Sequence, residues 1–197
     1  MTQAGPADDS SAAFPPGSPS RAALLDAAGS SLDRLVRVQQ DFPQPGVLFR
    51  DLTPVLADAG ALRDIARALA AAAPDATLIA GLDSRGFLLG AAAAMVAEIG
   101  VLAIRKPGKL PGAVLGEDYA LEYGTARLEL HPDDVPSGSR VLVIDDVLAT
   151  GGTAAAACRL LQRAGAQIAG VAVAVELTDL GGRSALHGIP VTALRQW

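Results

Sequence analysis

Cysteine is almost absent from this chain of 197 residues: Cys158 stands alone. A single thiol excludes an internal disulfide and any four-cysteine zinc site, and among its alanine neighbours it reads as a small apolar packing residue. A reducing compartment is compatible with that. Aromatics make up only 4% of the residues while 50% are hydrophobic, so the core has to be aliphatic. No apolar run is long enough to span a bilayer, because glycine, proline or charge interrupts every alanine-rich stretch. The N-terminus lacks a basic region followed by an apolar segment, so a secretory signal is not expected, and the chain reads as soluble, cytoplasmic and without a membrane partner. A formal charge of −5 with no long basic run argues against nucleic acid as a partner. Lysine is also scarce, present only at Lys106 and Lys109, and tyrosine only at Tyr119 and Tyr123. Both rare types fall in one segment, which sets that segment apart.

What is present divides into a tail and one domain. Residues 1–28 are rich in Ser, Pro, Ala and Gly and are expected to form a disordered N-terminal tail; residues 29–197 are expected to form a single domain. A short helix is expected from an N-cap at Ser30 or Ser31, ending before the irregular Asp41-Phe42-Pro43-Gln44-Pro45-Gly46. The spacing of Leu62, Ile65, Ala66 and Leu69 predicts a helix over 59–73. Thr77 to Ala80, Val101 to Ile104, Val141 to Ile144 and Ile168 to Val175 read as buried strands, with a helix over 87–98 between the first two. Residues 107–129 mix Gly, Pro, Tyr and acids without a long period, which suggests a lid of loop and antiparallel strands. The C-terminal stretch is expected to add a flap or an edge strand. Alternating strands and helices imply an α/β fold with a mostly parallel central sheet, whose ligands sit beyond the carboxyl ends of the strands.

One stretch carries most of the chemistry. Val141 to Thr153 reads VLVIDDVLATGGT: an apolar strand, the acid pair Asp145 and Asp146, then Ala149, Thr150, Gly151, Gly152 and Thr153 leading into an alanine-rich helix. A glycine loop between a parallel strand and a helix gathers backbone N–H groups at the positive end of the helix dipole, which makes an anion site suited to phosphate. Thr150 and Thr153 add hydroxyl donors. The two aspartates repel phosphate but accept hydrogen bonds from vicinal hydroxyls or from water bound to Mg²⁺. A sugar with a phosphate at one end and hydroxyls at the other satisfies both halves. The loop is neither a Walker A sequence nor GxGxxG. The plain alternative is a doubly wound protein with two solvated acids, which leaves the ordered combination unexplained.

This stretch resembles the phosphoribosyl-pyrophosphate (PRPP) motif of type I phosphoribosyltransferases, and the rest of the chain narrows the resemblance to the adenine phosphoribosyltransferase family. DFPQPGVLFRDLTPVL, GLDSRGFLLG, IRKPGKLPG, YALEYGTARLEL and VELTDLGGR occur in family order from about Leu32 onward. The resemblance implies the type I phosphoribosyltransferase fold, with helices on both faces of the sheet, a flexible lid and a small hood made by the N- and C-terminal segments. It implies an enzyme of purine salvage, a glycosyltransferase moving a pentosyl group from PRPP to adenine to give AMP and pyrophosphate, as a homodimer. Asp145 and Asp146 would then bind the ribose hydroxyls and Ala149 to Thr153 the 5′-phosphate. Ser84, Arg85, Arg105, Lys106 and Lys109 would bind pyrophosphate, part of the basic segment reaching the neighbouring subunit. Val47, Leu48, Phe49 and Arg50 would line the adenine pocket, with Val147 opposite Phe49 where leucine is common. Glu122 matches a lid glutamate proposed to meet N7 of adenine, and Tyr123 is its lid neighbour; Glu122, Arg85 and Lys109 are the candidate catalytic residues. Mg²⁺ would arrive with PRPP, since no His or Cys cluster offers a site made of protein alone.

Each assignment has a plainer competitor. For Arg105, Lys106 and Lys109 it is a solvated basic turn, for Arg85 a structural ion pair, for Glu122 an exposed acid and for Tyr123 a packing residue. At the level of the whole chain the competitors are the same transfer to a 6-oxopurine, and a regulatory module that binds PRPP without turnover.

Overall fold

The computed structural model describes residues 19–42, 44–120 and 124–197. The first helix, α1 (Arg21–Leu35), begins where the Ser20 hydroxyl accepts the Ala23 N–H at 3.2 Å. Leu24, Ala28 and Leu32 recur every fourth residue and are buried in the core. The expected tail over 1–28 therefore overlaps a helix, and the expected N-cap at Ser30 or Ser31 is corrected to Ser20. Ser31 lies inside α1, buried, with its hydroxyl 3.4 Å from Asp64 Oδ2. Alanine explains the difference: it thins the hydrophobic signal of a segment and is also the best helix former.

An antiparallel ribbon follows, β1 (Arg37–Gln40) against β2 (Leu48–Asp51), with Gln39 opposite Phe49 and Val38 opposite Arg50. Then come α2 (Thr53–Ala57) and α3 (Ala59–Ala70), the latter capped by Asp58, whose carboxylate accepts the Ala61 N–H at 2.8 Å. Strand β3 (Leu78–Leu82), helix α4 (Arg85–Ala97) and strand β4 (Gly100–Ile104) form the first half of the sheet system. The expected lid segment is an antiparallel hairpin, β5 (Leu115–Ala120) with β6 (Thr125–Leu130). Strand β7 (Arg140–Leu148), helix α5 (Gly152–Arg163), strand β8 (Gln167–Glu176) and strand β9 (Val191–Gln196) complete the chain, with short 3₁₀ turns at Thr178–Leu180 and Gly182–Leu186.

The five strands β4-β3-β7-β8-β9 form one sheet in which every neighbouring pair is parallel. Its two faces bury different sets of aliphatic side chains. On one face Leu142, Ile144, Ala172 and Ala174 pack with leucines of α1, α3 and α4; on the other Val143, Val171 and Val173 pack with Leu160 and Leu161 of α5. Each fully buried leucine contributes about 2 kcal/mol, so the two layers are held by area rather than by any single contact. The C-terminal segment is an edge strand, β9, one of the two forms expected.

Three glycines let α4 lie close on the sheet. A Cβ on Gly81 would stand 2.6 Å from the Gly86 carbonyl oxygen, and one on Gly86 would stand 2.7 Å from that of Ile144. Gly90 meets Gly81 Cα at 3.2 Å in the same sense. The helix start is thereby pressed between the ends of β3 and β7, where the sequence analysis places the ligand.

Candidate active site

The acid pair lies within β7 rather than beyond it. Asp145 pairs with Val173 and Val147 with Val175, so the strand runs on to Leu148, past the end at Ile144 that the apolar run implied. Pairing to the long β8 carries the ladder through two charged residues that have no strand preference of their own. The carboxylates are thus held by a sheet and not by a loop.

Arg85, the first residue of α4, meets this pair directly. Its Nε is 2.6 Å from Asp146 Oδ2, and that buried oxygen has no aligned hydrogen bond. Asp146 is neutralised electrostatically while keeping capacity to accept a donor. Asp145 is in the opposite position: burial, and then the charge on Asp146, push its carboxyl well above the ordinary carboxylate range. One favourable contact is the Asp146 backbone N–H donating to Asp145 Oδ1 at 2.8 Å. Asp51, at the end of β2, is also within the field of Arg85, although its lowered pKa comes first from hydrogen bonding by Thr53.

Ser84 occupies the N-cap position of α4 without making a side-chain cap bond. Arg105 follows β4; its Nε donates to Asp83 Oδ2 at 3.3 Å and its guanidinium lies 5.4 Å from the centre of the Phe87 ring. The Lys106 N–H reaches the same Asp83 oxygen at 3.5 Å. The turn that follows is shaped by Glu129, a buried acid that accepts the Gly108 N–H at 3.0 Å and Arg127 Nε at 3.3 Å. Among the described residues Lys106 and Lys109 join no ion pair, and both side chains are exposed.

The glycine loop has a backbone neighbour that the sequence did not announce. Gly151 has φ +83°, a conformation that favours glycine, and its Cα hydrogen side faces the Gly182 carbonyl oxygen so closely that a Cβ would overlap it. Gly182 in turn faces the Ala149 carbonyl oxygen with no room for a Cβ. Beyond the loop, α5 opens with free N–H groups as any helix does. Thr150 is exposed, whereas Thr153 Oγ1 donates to the Tyr119 hydroxyl at 3.3 Å. Strand β5 is fixed to the same helix by Glu117, whose carboxylate takes Arg159 Nε at 2.7 Å and Arg163 Nη1 at 2.8 Å.

In the adenine segment, Phe49 and Arg50 leave β2 on opposite faces. Phe49 packs edge to face on Phe42 with ring centres 5.1 Å apart, and Arg50 lies 5.1 Å over the Trp197 ring. Arg50 belongs to a separate recess lined with Val36, Val38 and Trp197, so its side chain is engaged with the C-terminal strand region. Val47 and Val147 are half-buried and Leu48 is exposed; Val147 rests against the α3–α4 side of the core. Glu122 and Tyr123 lie outside the described residues. No three His, Cys, Asp or Glu side chains gather as a metal-binding group among the described residues, and the donors on offer are the adjacent carboxylates of Asp145 and Asp146. Such a pair fits a cation delivered on a polyanionic substrate better than one held by protein alone.

Asp83, Glu117, Tyr119, Glu129 and the Glu176–Arg183 pair were not anticipated in these roles. Arg159 and Arg163, four apart on one helix face, were the only local signal that an acid would lie against α5.

A strand carrying two acids near its end, a glycine loop opening a helix and a second helix start bearing arginine define a phosphoribosyltransferase. A family model for the phosphoribosyl transferase domain matches residues 55–185, and the chain belongs to that family. Within it the relatives are adenine phosphoribosyltransferases. That of Clavibacter michiganensis subsp. michiganensis is 61% identical over 154 residues, 78% of this chain and 88% of its own. Among solved structures, the enzyme of Rhodothermus marinus is 44% identical with a TM-score of 0.80, covering 87% of this chain and 99% of that one. The enzyme of Saccharomyces cerevisiae, solved with an imino-altritol bisphosphate and adenine, is 35% identical with a TM-score of 0.81, covering 86% and 99%.

Proposed function

We propose that the chain transfers the 5-phosphoribosyl group of PRPP to adenine at the site between β3, β7 and the start of α5, releasing AMP and pyrophosphate for purine salvage. The observation that supports the site assignment is the meeting of Arg85 with Asp146, three residues before the 149–153 loop, which brings a cation to the acid pair. Ala149 to Thr153 hold the 5′-phosphate, through backbone N–H groups and the Thr150 and Thr153 hydroxyls. Asp145 and Asp146 accept the ribose hydroxyls. Ser84, Arg85, Arg105, Lys106 and Lys109 face the pyrophosphate.

Adenine N9 attacks C1′ of the ribose as the bond to pyrophosphate breaks, and positive charge develops on the sugar ring in between. Arg85 moves from Asp146 to the departing group as a ribose hydroxyl takes its place on the carboxylate, so neither charge is left unpaired. Arg105 stays on Asp83 and sets the direction of the basic turn, while Lys106 and Lys109 supply mobile cations. Asp145 and Asp146 would receive the Mg²⁺ that arrives with PRPP, which would supply neutralisation of the pyrophosphate charge. Val47, Leu48, Phe49 and Val147 wall the base, with the backbone of the 47–50 segment reading its edge. Glu122 donates a hydrogen bond or proton at N7 while the N9 proton passes to the departing pyrophosphate or to water, and Tyr123 is its neighbour in the lid sequence.

A homodimer goes with this reading. Leu88, Met95 and Val96 on α4 and Val101 on β4 are exposed together, Met95 to 80%, an apolar face that a second copy would cover. A cytoplasmic location goes with a salvage reaction of this kind, and the sole cysteine is a buried thiol. No helix among the described residues is long and apolar enough to cross a membrane.

The test is AMP formation from adenine and PRPP with and without Mg²⁺, with hypoxanthine, guanine and xanthine as competing bases. Metal-dependent AMP with little product from the others is expected. Product from a 6-oxopurine would overturn the base pocket, and PRPP binding without product would turn the chain into a regulatory module.

A further inference from the structure

Glu176 is a nearly buried carboxylate at the end of β8, 4% exposed, and the transfer chemistry has no use for it. Its Oε1 accepts Arg183 Nε at 2.7 Å and its Oε2 accepts Arg183 Nη2 at 2.8 Å, a fork-to-fork pair. Gln196 Nε2 adds a third donor on Oε2 at 2.8 Å. Such saturation of a carboxylate fixes the arginine, and with it the residue before it. That residue is Gly182, whose backbone lies against both Ala149 and Gly151 with no space for a methyl group on either side.

The contacts therefore run in one chain from a rigid strand to the glycine loop. Strand β8 ends at Glu176, beside Leu148 at the end of β7. The Leu177 N–H donates to the Leu148 carbonyl at 2.9 Å, closing the sheet just before the loop departs. Arg183 then returns the chain to the same place, so that Gly182 backs the loop at Ala149 and Gly151. The positive groups of the loop backbone are its N–H dipoles, and their aim depends on where the Ala149 and Gly151 peptides rest. A displacement of a few tenths of an ångström at Gly182 moves both.

We propose that Glu176 and Arg183 are positioning residues for the 5′-phosphate: the fork between them holds the Gly182 peptide as a backstop that aims the N–H groups of the 149–153 loop. The proposal rests on the reading that this loop holds the 5′-phosphate. Neither side chain touches substrate. The pair acts through Gly182, and Gly182→Ala should reproduce its loss from the other direction by pushing the Ala149 carbonyl away.

The test separates the phosphate from the rest of the nucleotide by measuring binding of AMP and of adenosine by calorimetry. Wild type is expected to bind AMP well above adenosine. Arg183→Lys keeps the charge but forfeits the fork, and Arg183→Met removes both. Both, and Gly182→Ala, are expected to weaken AMP about tenfold while adenosine changes less than about twofold, as loss of one charge-assisted buried bond implies. In steady state the KM for PRPP rises by a similar factor, with kcat at saturating PRPP and the KM for adenine nearly unchanged. A drop in melting temperature with AMP, adenosine and PRPP affinities all unchanged would make the pair a structural brace and overturn the proposal. Equal binding of AMP and adenosine by wild type, or AMP binding untouched by Thr150→Val with Thr153→Val, would instead overturn the phosphate-loop reading itself. Should Arg183→Met not fold, Arg183→Lys and Gly182→Ala carry the same comparison.

Discussion

The hydroxyl of Thr153 in the first turn of α5 donates to the hydroxyl of Tyr119 on β5, 3.3 Å away, so the start of α5 and the β5–β6 hairpin share one hydrogen. A phosphate arriving at the loop competes for that hydrogen. Removing the Tyr119 hydroxyl should cost PRPP binding little, because it frees a donor that the ligand wants.

Tyr119→Phe is expected to bind PRPP as tightly as wild type or up to about threefold more tightly, and Thr153→Val about tenfold more weakly. The double variant should match Thr153→Val alone. Equilibrium PRPP binding decides between the two roles: equal losses in the single variants would mean that Tyr119 itself contacts the phosphate.

Asp145 sets stability against binding. Its folded pKa is raised, so the folded chain holds more protons than the unfolded one between the ordinary carboxylate value and the raised one. Stability from this group is therefore lost as pH rises through that window, and PRPP binding, which needs the ionised form, strengthens over the same range. Asp145→Asn is expected to stabilise the free protein at neutral pH by about 1 kcal/mol and to abolish measurable PRPP binding. Thermal melts with and without PRPP check both halves, and calorimetry in two buffers should show proton release on PRPP binding by wild type alone.

Glu122→Gln is expected to lower kcat on the order of a hundredfold while PRPP affinity stays within about threefold, the pattern of a group that acts in the transition state. Equal turnover in variant and wild type would remove Glu122 from the chemistry.

Met95→Glu places a charge in the exposed apolar face of α4 and β4 without touching the core. Sedimentation should show a dimer for wild type and a monomer for the variant, with thermal stability within about 1 kcal/mol of wild type for the isolated subunit's surface. A dimer that survives the charge would place the subunit contact elsewhere.

The parallel sheet was legible because its strands are continuous apolar runs, Leu78 to Leu82 and Val141 to Ile144 among them, a pattern that only two buried faces require. The glycine loop was legible because its residues are adjacent. What the sequence hid is whatever joins distant residues. Asp83 and Arg105, or Glu176 and Arg183, carry no local period and become partners only once β3 lies beside β4 and the chain doubles back after β8. Helix α1 was hidden differently, since Leu24, Ala28 and Leu32 are enough when a core awaits them but too few to stand out among alanines and serines. Adjacency alone does not say where the Arg50 side chain points. Arg50 follows Phe49 in the sequence, yet strand alternation sends its side chain to Trp197.

The close seat of Gly151 against Gly182 also orders events in time. A chain made from its N-terminus has the strand, the acids and the glycine loop in hand before residue 182 has been added, so the loop has no backstop while it is being synthesised. The glycine loop consequently takes its final shape late, after β8 has docked, and a ribosome-bound chain stalled before Gly182 carries the whole 141–153 sequence without the surface that gives it form.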